Sequence, residues 1–350
     1  MIMAWYQRSG PGKDVFVSTR IRLARNLVGY PFEGRLTDAS AKEMIERVSA
    51  LFPASEGYEQ TDMQTLSAEE AGALCEKHYI SPEFAAKRSP HALIREESKG
   101  LSIMICEEDH LRIQALAAGF APEECMRAAF EAEERIDGAM ELAYDEKLGY
   151  LTHCPTNLGT AMRVSVMMFL PALTMEGRMP SLSGQLQKLG LVIRGTDGEG
   201  SEAVGYLYQI SNRITLGISE EETVRKVSEV VRRIAETERR LRRSWQGRAR
   251  MTVADRGARA LGVLSHAKLL SGKEFLALWA DLRLSMCCDE KDKFPTEKMD
   301  ALLFEVMRNE MAIQAEKNKD AAGLPAEAGR DLCRAERVRA VFASMDEKKG

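Results

Sequence analysis

Alternating apolar and polar positions predict the strand that opens the chain. Over residues 14–24 every second residue is apolar or threonine, and Arg20 and Arg22 lie together on the other side. A period of two is typical of a strand with one buried face, so Val17 and Ile21 are expected to share that face. Further strands are predicted at residues 101–105, 191–194 and 203–211, the last two joined by a glycine-rich turn over residues 195–200. Such a hairpin favours an antiparallel or mixed sheet.

Apolar residues at helical spacing predict helices in much of the remaining chain. Thr37 and Ser67 stand where N-cap residues are expected, each directly before a helical pattern. A long helix is predicted from Ser219, with acids in its first turn and arginines in its last, which complements the helix dipole. The other predicted helices cover residues 37–51, 67–75, 124–142, 261–270, 274–284 and 296–314.

The change from mixed to almost purely helical patterns predicts two domains. Helical periods dominate beyond residue 256, which gives an α+β domain over residues 1–250 and an all-α domain over residues 251–350. A length of 350 residues with 45% hydrophobic residues can form two cores and excludes a disordered or fibrous chain. No apolar stretch reaches the roughly 18 residues of a membrane-spanning helix and no signal segment is visible, so a soluble cytoplasmic protein is expected.

Composition excludes several kinds of site. Seven cysteines without a CxxC pair argue against a disulfide framework, and five scattered histidines argue against a protein-held metal. Neither a GxxxxGK[ST] phosphate loop nor a GxGxxG fingerprint occurs, so a nucleotide would have to be bound mainly by side chains. The basic stretch 225–259 could be a nucleic-acid surface, but the net charge of −4 and its amphipathic helix favour a solvated helix face.

Five arginines stand at strand or turn positions where small or apolar residues are more usual: Arg20, Arg22, Arg112, Arg163 and Arg194. A guanidinium keeps its charge and offers a planar set of donors that matches phosphate oxygens, so arginines from distant segments could converge on a polyphosphate. Solvated arginines on a sheet are the alternative. The pair Arg20 and Arg22 favours binding, because both side chains lie on one face of a strand.

Two loops combine residues that could carry chemistry. Three acids at residues 107–109 follow the strand predicted at residues 101–105, and their mutual repulsion disfavours folding unless a positive group binds there. A surface turn is the alternative. The loop of residues 154–160 places Cys154 directly before a proline, among hydrogen-bonding residues. Nearby cations would lower the pKa of this thiol, whereas a buried inert thiol is the commoner case.

Together these segments resemble the catalytic domain of the phosphagen (guanidino) kinases over most of residues 14–245. Four separated motifs occur in family order: residues 18–22, 107–112, 154–163 and 194–199. Within that family the chain resembles the bacterial branch, the McsB-type protein arginine kinases. It begins nearly at the catalytic motif, without a leading helical domain, and it carries an additional helical domain. That domain contains a sequence similar to the RDxxRA phosphoarginine-binding motif at residues 330–335.

The resemblance implies a role for each matching residue. Glu108 would orient and deprotonate the substrate guanidinium, Glu199 would be the second carboxylate, and Cys154 would be a thiolate beside the reacting nitrogen. His78 would lie against the adenine, while arginines hold the phosphates. The implied ATP site comprises Ser18, Thr19, Arg20, Ile21, Arg22, His78, Arg112, Arg163, Val164, Ser165, Arg194, Gly195, Thr196, Asp197, Gly198 and Glu199. The implied phosphoarginine site comprises Arg330, Asp331, Arg334 and Ala335.

Two positions depart from the family pattern. Cys106 stands where an asparagine commonly precedes the two glutamates, which changes the hydrogen bonding expected in the acidic turn. Thr19 stands where some relatives have serine, which is a mild change.

The resemblance implies an ATP-dependent protein arginine kinase with a mostly antiparallel sheet flanked by helices and an all-α domain after it. It also implies Mg²⁺ bound with ATP, a homodimer built through the helical domain, and as partners an activator protein, a stress-gene repressor and a Clp-type protease chaperone. Its products would mark proteins for degradation. A kinase for free arginine or a related guanidino metabolite is the alternative, and a non-catalytic phosphoarginine reader would be expected to have lost its carboxylates.

Overall fold

One eight-stranded antiparallel sheet forms the centre of the molecule. The computed structural model describes residues 3–195, 204–288 and 296–346. The strands are β1 Phe16–Arg25, β2 Glu59–Asp62, β3 Ala92–Glu96, β4 Leu101–Ile105, β5 Leu111–Ala118, β6 Tyr144–Asp145, β7 Gly149–Tyr150, β8 Met162–Phe169, β9 Leu191–Gly195 and β10 Leu207–Asn212. Their order in the large sheet is β2-β3-β4-β5-β1-β8-β10-β9, and β6 with β7 forms a separate hairpin. The predicted α+β fold with an antiparallel sheet is confirmed.

Helices flank this sheet and follow it in the chain. They are α1 Asp38–Ala50, α2 Ala68–Glu76, α3 Pro82–Ala85, α4 Pro122–Asp137, α5 Pro171–Met175, α6 Met179–Lys188, α7 Glu220–Ser244, α8 Arg248–His266, α9 Gly272–Cys288, α10 Thr296–Glu305, α11 Arg308–Lys317 and α12 Ala326–Asp346. Thr37, Ser67 and Ser219 cap α1, α2 and α7 as predicted. Within the described ranges no helix combines the length and apolarity needed to cross a bilayer.

Each face of the sheet buries a hydrophobic core. On one face α1, α4, α6 and α7 pack against the strands through residues such as Met44, Ala129 and Val227. On the other face the helices from α8 onward pack against the sheet and the amino-terminal segment, with Trp5 and Trp279 fully buried. The carboxy-terminal helices therefore share a core with the sheet, and they cover only part of that face.

A β-bulge in β1 changes the face of the sheet on which one predicted residue lies. Phe16 pairs with Met168 and Ser18 pairs with Met167, so β1 contains one residue more than its partner at this point. Because of this extra residue, Val17 packs in the second core, whereas Ile21 packs in the first. The expectation that Val17 and Ile21 share a face is wrong, and the predicted alternation holds only from Ser18 onward.

The helix predicted over residues 296–314 is two helices. α10 ends at Glu305 and α11 begins at Arg308. The break is stabilised from elsewhere in the fold: the carboxylate of Glu76 accepts hydrogen bonds from the backbone of Asn309 at 2.9 and 3.1 Å. An acidic side chain at a helix start satisfies free N–H groups, so a tertiary contact ends one helix and starts the next.

Two other predicted elements have different bounds. The helix predicted over residues 124–142 ends at Asp137, and Leu142 instead forms an isolated bridge with Leu27. The strand predicted over residues 203–211 begins only at Leu207, because the preceding described residues form a 3-10 turn in which Tyr206 has φ of 57°. The glycine-rich turn lies mostly outside the described residues.

Candidate active site

The predicted arginines of the central strands lie on one face of the sheet. Arg22 on β1 is directly opposite Arg163 on β8, and Arg112 on β5 is opposite Ala24, two residues further along β1. Residues opposite each other in an antiparallel pair, or two apart on a strand, point to the same face. Arg20 therefore belongs to the same face, and its register partner there is Ser165.

The remaining arginine, Arg194, is connected to this face by residues of β10. Arg194 on β9 is paired with Gln209, whose side-chain oxygen accepts a hydrogen bond from Arg20 at 3.2 Å. On the same strand Ser211 accepts a hydrogen bond from Arg163 at 3.3 Å. Neutral side chains thus hold the guanidinium groups of Arg20 and Arg163 in place without compensating their charge. We call Arg20, Arg22, Arg112, Arg163 and Arg194 the arginine face.

Burial and mutual repulsion define the electrostatics of the arginine face. Burial, with the charges of Arg112 and Arg163, lowers the pKa of Arg20 to about 10. Burial lowers the pKa of Arg22 well below its usual value, and the neighbouring arginines lower it further. Burial and then Arg194 and Arg112 lower the pKa of Arg163. Cations that depress one another's pKa are close together, and an anion bound among them would relieve this repulsion.

A cavity of about 520 Å³ joins the arginine face to the two predicted reactive loops. Arg22, Arg112 and Arg163 line one part of it, and Glu108 and Cys154 line another. Residues from three segments that are distant in the sequence therefore meet at one site, as the motifs indicate.

The acidic turn between β4 and β5 gives its two glutamates different environments. The Glu107 carboxylate is buried, lies 2.5 Å from Arg112 Nη1 and accepts a hydrogen bond from Ser81 at 2.7 Å. The side chain of Glu108 is 41% exposed, and its Oε2 lies 3.5 Å from Arg112 Nη2. Glu107 is thus occupied by structural contacts, whereas Glu108 is open to the cavity.

Cys106, the departure from the family pattern, has a left-handed backbone conformation. Its φ is 63°, a value that asparagine adopts more readily than cysteine. Its side chain is buried in the core, and burial raises the pKa of its thiol to about 12. Its carbonyl accepts a hydrogen bond from Lys87, which also contacts Glu33. Lys87 therefore supports the backbone of the turn.

His78 lies between the arginine face and the carboxy-terminal helices. Its ring stacks on Trp5 with centroids 6.3 Å apart and meets Phe304 edge-on at 5.4 Å. Burial, with the charge of Arg20, lowers the pKa of His78 to about 3, so the ring is neutral at pH 7. Its backbone has φ of 64°, and its carbonyl accepts a hydrogen bond from Gln114 at 2.8 Å.

Several residues of the predicted ATP site point away from the arginine face. Ile21 and Val164 are fully buried in the core on the other side of the sheet, and Thr19 Oγ1 donates to the carbonyl of Gly119 there. Only the backbone atoms of Thr19, Ile21 and Val164 could contact a ligand on the arginine face. Ser18 and Ser165 share the arginine face, and the buried Oγ of Ser165 has no hydrogen-bond partner among the described residues.

The last predicted motif lies partly outside the described residues. Gly195 ends β9 next to Arg194. The structure describes nothing of Thr196, Asp197, Gly198 and Glu199, so the predicted second carboxylate lies outside it.

The RDxxRA sequence lies on α12, where one of its arginines is part of the core. Arg334 is buried and donates to the carbonyls of Val306 and Leu270, each at 2.8 Å, and to Asp331 at 2.7 Å. Ala335 is also buried, and Arg330 is half-buried. The arrangement ties α12 to the end of α10.

Sequence reasoning assigned no role to several residues that shape the cavity. Asn157, Asn212 and Thr215 line it, and Asn26 with Asp109 joins its loops. Asp109 belongs to the acidic cluster, but no local pattern distinguishes its carboxylate from that of Glu108.

Comparison with known proteins identifies the family and the fold. A family model for the ATP:guanido phosphotransferase C-terminal catalytic domain matches residues 40–241, and one for the protein-arginine kinase McsB C-terminal domain matches residues 250–350. The crystal structure of a lombricine kinase has the same fold, with a TM-score of 0.58 and 24% identity over 70% of this chain and 71% of that one. The family model thus identifies the class of this protein, a phosphotransferase that uses ATP and a guanidino acceptor.

Curated relatives cover nearly the whole chain. A protein-arginine kinase from Symbiobacterium thermophilum is 37% identical over 345 residues, which is 96% of this chain and 95% of that protein. One from Caldanaerobacter subterraneus subsp. tengcongensis is 39% identical over 298 residues, which is 81% of this chain and 88% of that protein. The chain belongs to the protein-arginine kinase branch of the ATP:guanido phosphotransferase family.

Proposed function

We propose that this enzyme transfers the γ-phosphoryl group of ATP to arginine side chains in proteins. The observation that carries the proposal is the single cavity in which Arg22, Arg112 and Arg163 lie beside Glu108 and Cys154. Cationic side chains suit a triphosphate, and a carboxylate suits a guanidinium. The protein-arginine kinase from Symbiobacterium thermophilum, which this chain matches over 95% of that protein's length, supports a protein acceptor.

The arginine face would hold the phosphates of ATP. Phosphoryl transfer passes through a loose, highly charged transition state, for which a protein supplies mainly position and countercharge. His78 would offer its neutral ring to the adenine, and Ser18 and Ser165 lie on the face that the phosphates would occupy. The backbones of Thr19, Ile21, Val164 and residues 195–199 would complete the ATP site.

Mg²⁺ would arrive with the nucleotide. Among the described residues no group of three or more His, Cys, Asp or Glu side chains could hold a metal ion. The surroundings of the proposed phosphate site are cationic, which fits a metal held by phosphate oxygens and water. When bound, Mg²⁺ would neutralise charge on the transferring phosphoryl group.

Glu108 would prepare the acceptor. A guanidinium has a pKa above about 12, so its nitrogen lone pair is unavailable at neutral pH. Glu108 is the open carboxylate of the acidic turn and would orient the guanidinium and accept its proton during attack. Glu199 would be the second carboxylate, and the Cys154 thiolate would lie beside the reacting nitrogen. Placing both reactants correctly can supply on the order of 7 to 11 kcal/mol of the barrier.

The helical segment of residues 251–350 would bind phosphoarginine, the product of the reaction. Arg330, Asp331, Arg334 and Ala335 would form a phosphoarginine site in a domain of residues 251–350, with the catalytic domain over residues 1–250. The two family models meet near this division. Arg334 already donates hydrogen bonds to the backbone carbonyls of Val306 and Leu270. To bind phosphoarginine, Arg334 would have to give up these bonds and donate to the phosphate instead.

The wider biological role belongs to the same proposal and rests on the resemblance. It comprises a cytoplasmic homodimer formed through the helical domain, an activator protein, control of a stress-gene repressor, and marking of proteins for a Clp-type protease chaperone.

Acid-labile phosphate analysis tests the proposal. We expect wild-type enzyme with labelled ATP to form phosphoarginine in an unfolded arginine-rich protein. Glu108→Gln should lower kcat by roughly 10²- to 10⁴-fold with little change in the KM for ATP, because general-base catalysis contributes that much. Glu131→Gln, on the exposed surface of α4, is the matched control and should behave as wild type.

Two results would contradict this proposal. Equal phosphoarginine formation by Glu108→Gln and wild type would exclude Glu108 as the base. Label on free arginine alone, with none on the protein, would instead favour the metabolite kinase.

A further inference from the structure

A partly buried hydrogen bond joins the two loops that carry the proposed reactive groups. Glu108 lies in the turn between β4 and β5, and Cys154 lies in the loop between β7 and β8. Asp109 follows Glu108 directly, and His153 precedes Cys154 directly. The Oδ1 atom of Asp109 accepts a hydrogen bond from the backbone N–H of His153 at 2.6 Å. The immediate neighbours of the two groups are therefore bonded to each other.

Asn26, the residue after β1, connects the same two loops a second time. Its Nδ2 donates to Asp109 Oδ1 at 2.6 Å and to the carbonyl of Leu151 at 2.9 Å. Its Oδ1 accepts a hydrogen bond from the backbone N–H of His110 at 2.9 Å. One side-chain amide at the end of a central strand thus contacts the acidic turn twice and the Cys154 loop once. Asn26 and Asp109 are each 2% exposed, where hydrogen bonds are strong and their loss is costly.

Glu108 and Cys154 have few contacts that could fix their own positions. Among the described residues the Glu108 carboxylate contacts Arg112 at 3.5 Å, which is longer than a hydrogen bond. The Sγ atom of Cys154 contacts the hydroxyl of Thr156 at 3.0 Å on the exposed surface of the loop. Their placement therefore depends on the backbone segments that carry them, and those segments are held by Asn26 and Asp109.

We infer that Asn26 and Asp109 are positioning residues that set the separation of Glu108 and Cys154. The inference rests on the proposed function, in which these two groups act on one guanidinium. Neither Asn26 nor Asp109 lines the cavity, so both act through the loops. A misplacement of about 1 Å at a reacting centre can cost on the order of 10²-fold in rate.

The test replaces the Nδ2 atom of Asn26, which donates to Asp109 and Leu151, by an oxygen atom. Asn26→Asp puts a carboxylate oxygen where Nδ2 donated to Asp109, so two carboxylates would face each other. We expect kcat for arginine phosphorylation to fall about 100-fold while the KM for ATP changes less than about twofold. Asp109→Asn is the conservative variant: it keeps an amide oxygen that can still accept from Asn26 and from the backbone of His153, so it should lose less than about tenfold in kcat.

A matched control separates positioning from general destabilisation. Glu238 is also a buried carboxylate that accepts backbone hydrogen bonds, from Ala172 and Leu173 at 2.9 Å, but it lies on α7 behind the sheet. Glu238→Gln should lower the melting temperature and leave kcat near the wild-type value. Hydrogen exchange gives a readout independent of activity: residues 151–158 should exchange faster in Asn26→Asp than in Asp109→Asn or in the wild-type enzyme.

The outcomes distinguish this inference from the proposed function. A wild-type kcat in Asn26→Asp, or the same loss in Asn26→Asp and Glu238→Gln, overturns the inference while the proposed function stands. If wild-type enzyme phosphorylates no arginine, the proposed function fails. Hydrogen exchange then decides: faster exchange of residues 151–158 in Asn26→Asp supports the connection, and unchanged exchange overturns it. If Asn26→Asp does not fold, Asn26→Ser, which removes the donors without adding charge, takes its place under the same criteria.

Discussion

The molecule contains two kinds of buried or half-buried arginine, and they differ in what faces the guanidinium group. Arg283 represents the first kind, with its Nη2 2.7 Å from the carboxylate of Asp300. Burial acts to lower the pKa of Arg283, but the charge and hydrogen bonds of Asp300 outweigh it and raise the pKa. Three other buried arginines also contact a carboxylate: Arg25 with Glu133, Arg242 with Glu238, and Arg334 with Asp331.

The second kind is part of the arginine face, the half-buried Arg20, Arg22 and Arg163, which lack such a partner among the described residues. Arg20, Arg22 and Arg163 make no ion pair with any carboxylate in residues 3–195, 204–288 and 296–346, and burial with neighbouring cations lowers the pKa of all three. Uncompensated charge reduces stability unless an anion binds. The comparison teaches that paired arginines stabilise the fold, whereas the unpaired ones make the fold depend on a ligand.

The largest effect is expected for a paired arginine. Arg242→Met removes the partner of the buried Glu238 carboxylate, along with hydrogen bonds from Arg242 to the carbonyls of Asp14 and Phe169. Leaving a buried charge unpaired costs about 3 to 5 kcal/mol in the free energy of unfolding, measured by urea denaturation. A loss below about 1 kcal/mol would mean that paired arginines do not stabilise this fold.

Replacing an unpaired arginine should lower kcat without lowering the free energy of unfolding. Arg163→Met relieves repulsion with Arg112 and Arg194, so the free energy of unfolding should stay the same or rise. Its kcat should fall by roughly 10² to 10³, which is typical for the loss of one group that stabilises transition-state charge. Urea denaturation and steady-state kinetics on one preparation check both parts. Destabilisation similar to that of Arg242→Met, with kcat unchanged, would remove the distinction between the two kinds.

The smallest effect concerns the pH dependence of stability. The pKa of His78 is about 3 in the folded protein and near 6.5 when unfolded, so the unfolded state binds the proton more tightly. The stability contribution of the neutral ring is complete above pH about 6.5 and is lost as the pH falls toward about 3. The difference between the free energies of unfolding at about pH 4.5 and at about pH 7.5 should therefore be smaller in His78→Phe than in the wild type. His266→Gln, at an exposed histidine, is the control, and an equal change in both variants would contradict the assignment.

The sequence predicted the parts of the fold that depend on local signals. The capped starts of α1, α2 and α7 follow from Thr37, Ser67 and Ser219, and Arg20 with Arg22 share a face because a strand repeats every two residues. Periodicity did not identify β5 and β8, which are buried along almost their whole length and therefore do not alternate.

Long-range contacts determined what the sequence could not predict. The break between α10 and α11 depends on Glu76, which is 233 residues from Asn309 in the chain. The network at the site depends on Asn26 and Asp109, which are 83 residues apart. The motifs identified Glu108 and Cys154, but a motif contains no information about which distant side chain holds it in place.

A crystal structure of the enzyme with MgADP and an arginine-containing peptide tests the central claim most directly. The account predicts phosphate oxygens within hydrogen-bond distance of Arg20, Arg22 and Arg163, and the peptide guanidinium against Glu108. Phosphates bound elsewhere, with the arginine face still facing solvent and Glu108 without a guanidinium, would contradict it.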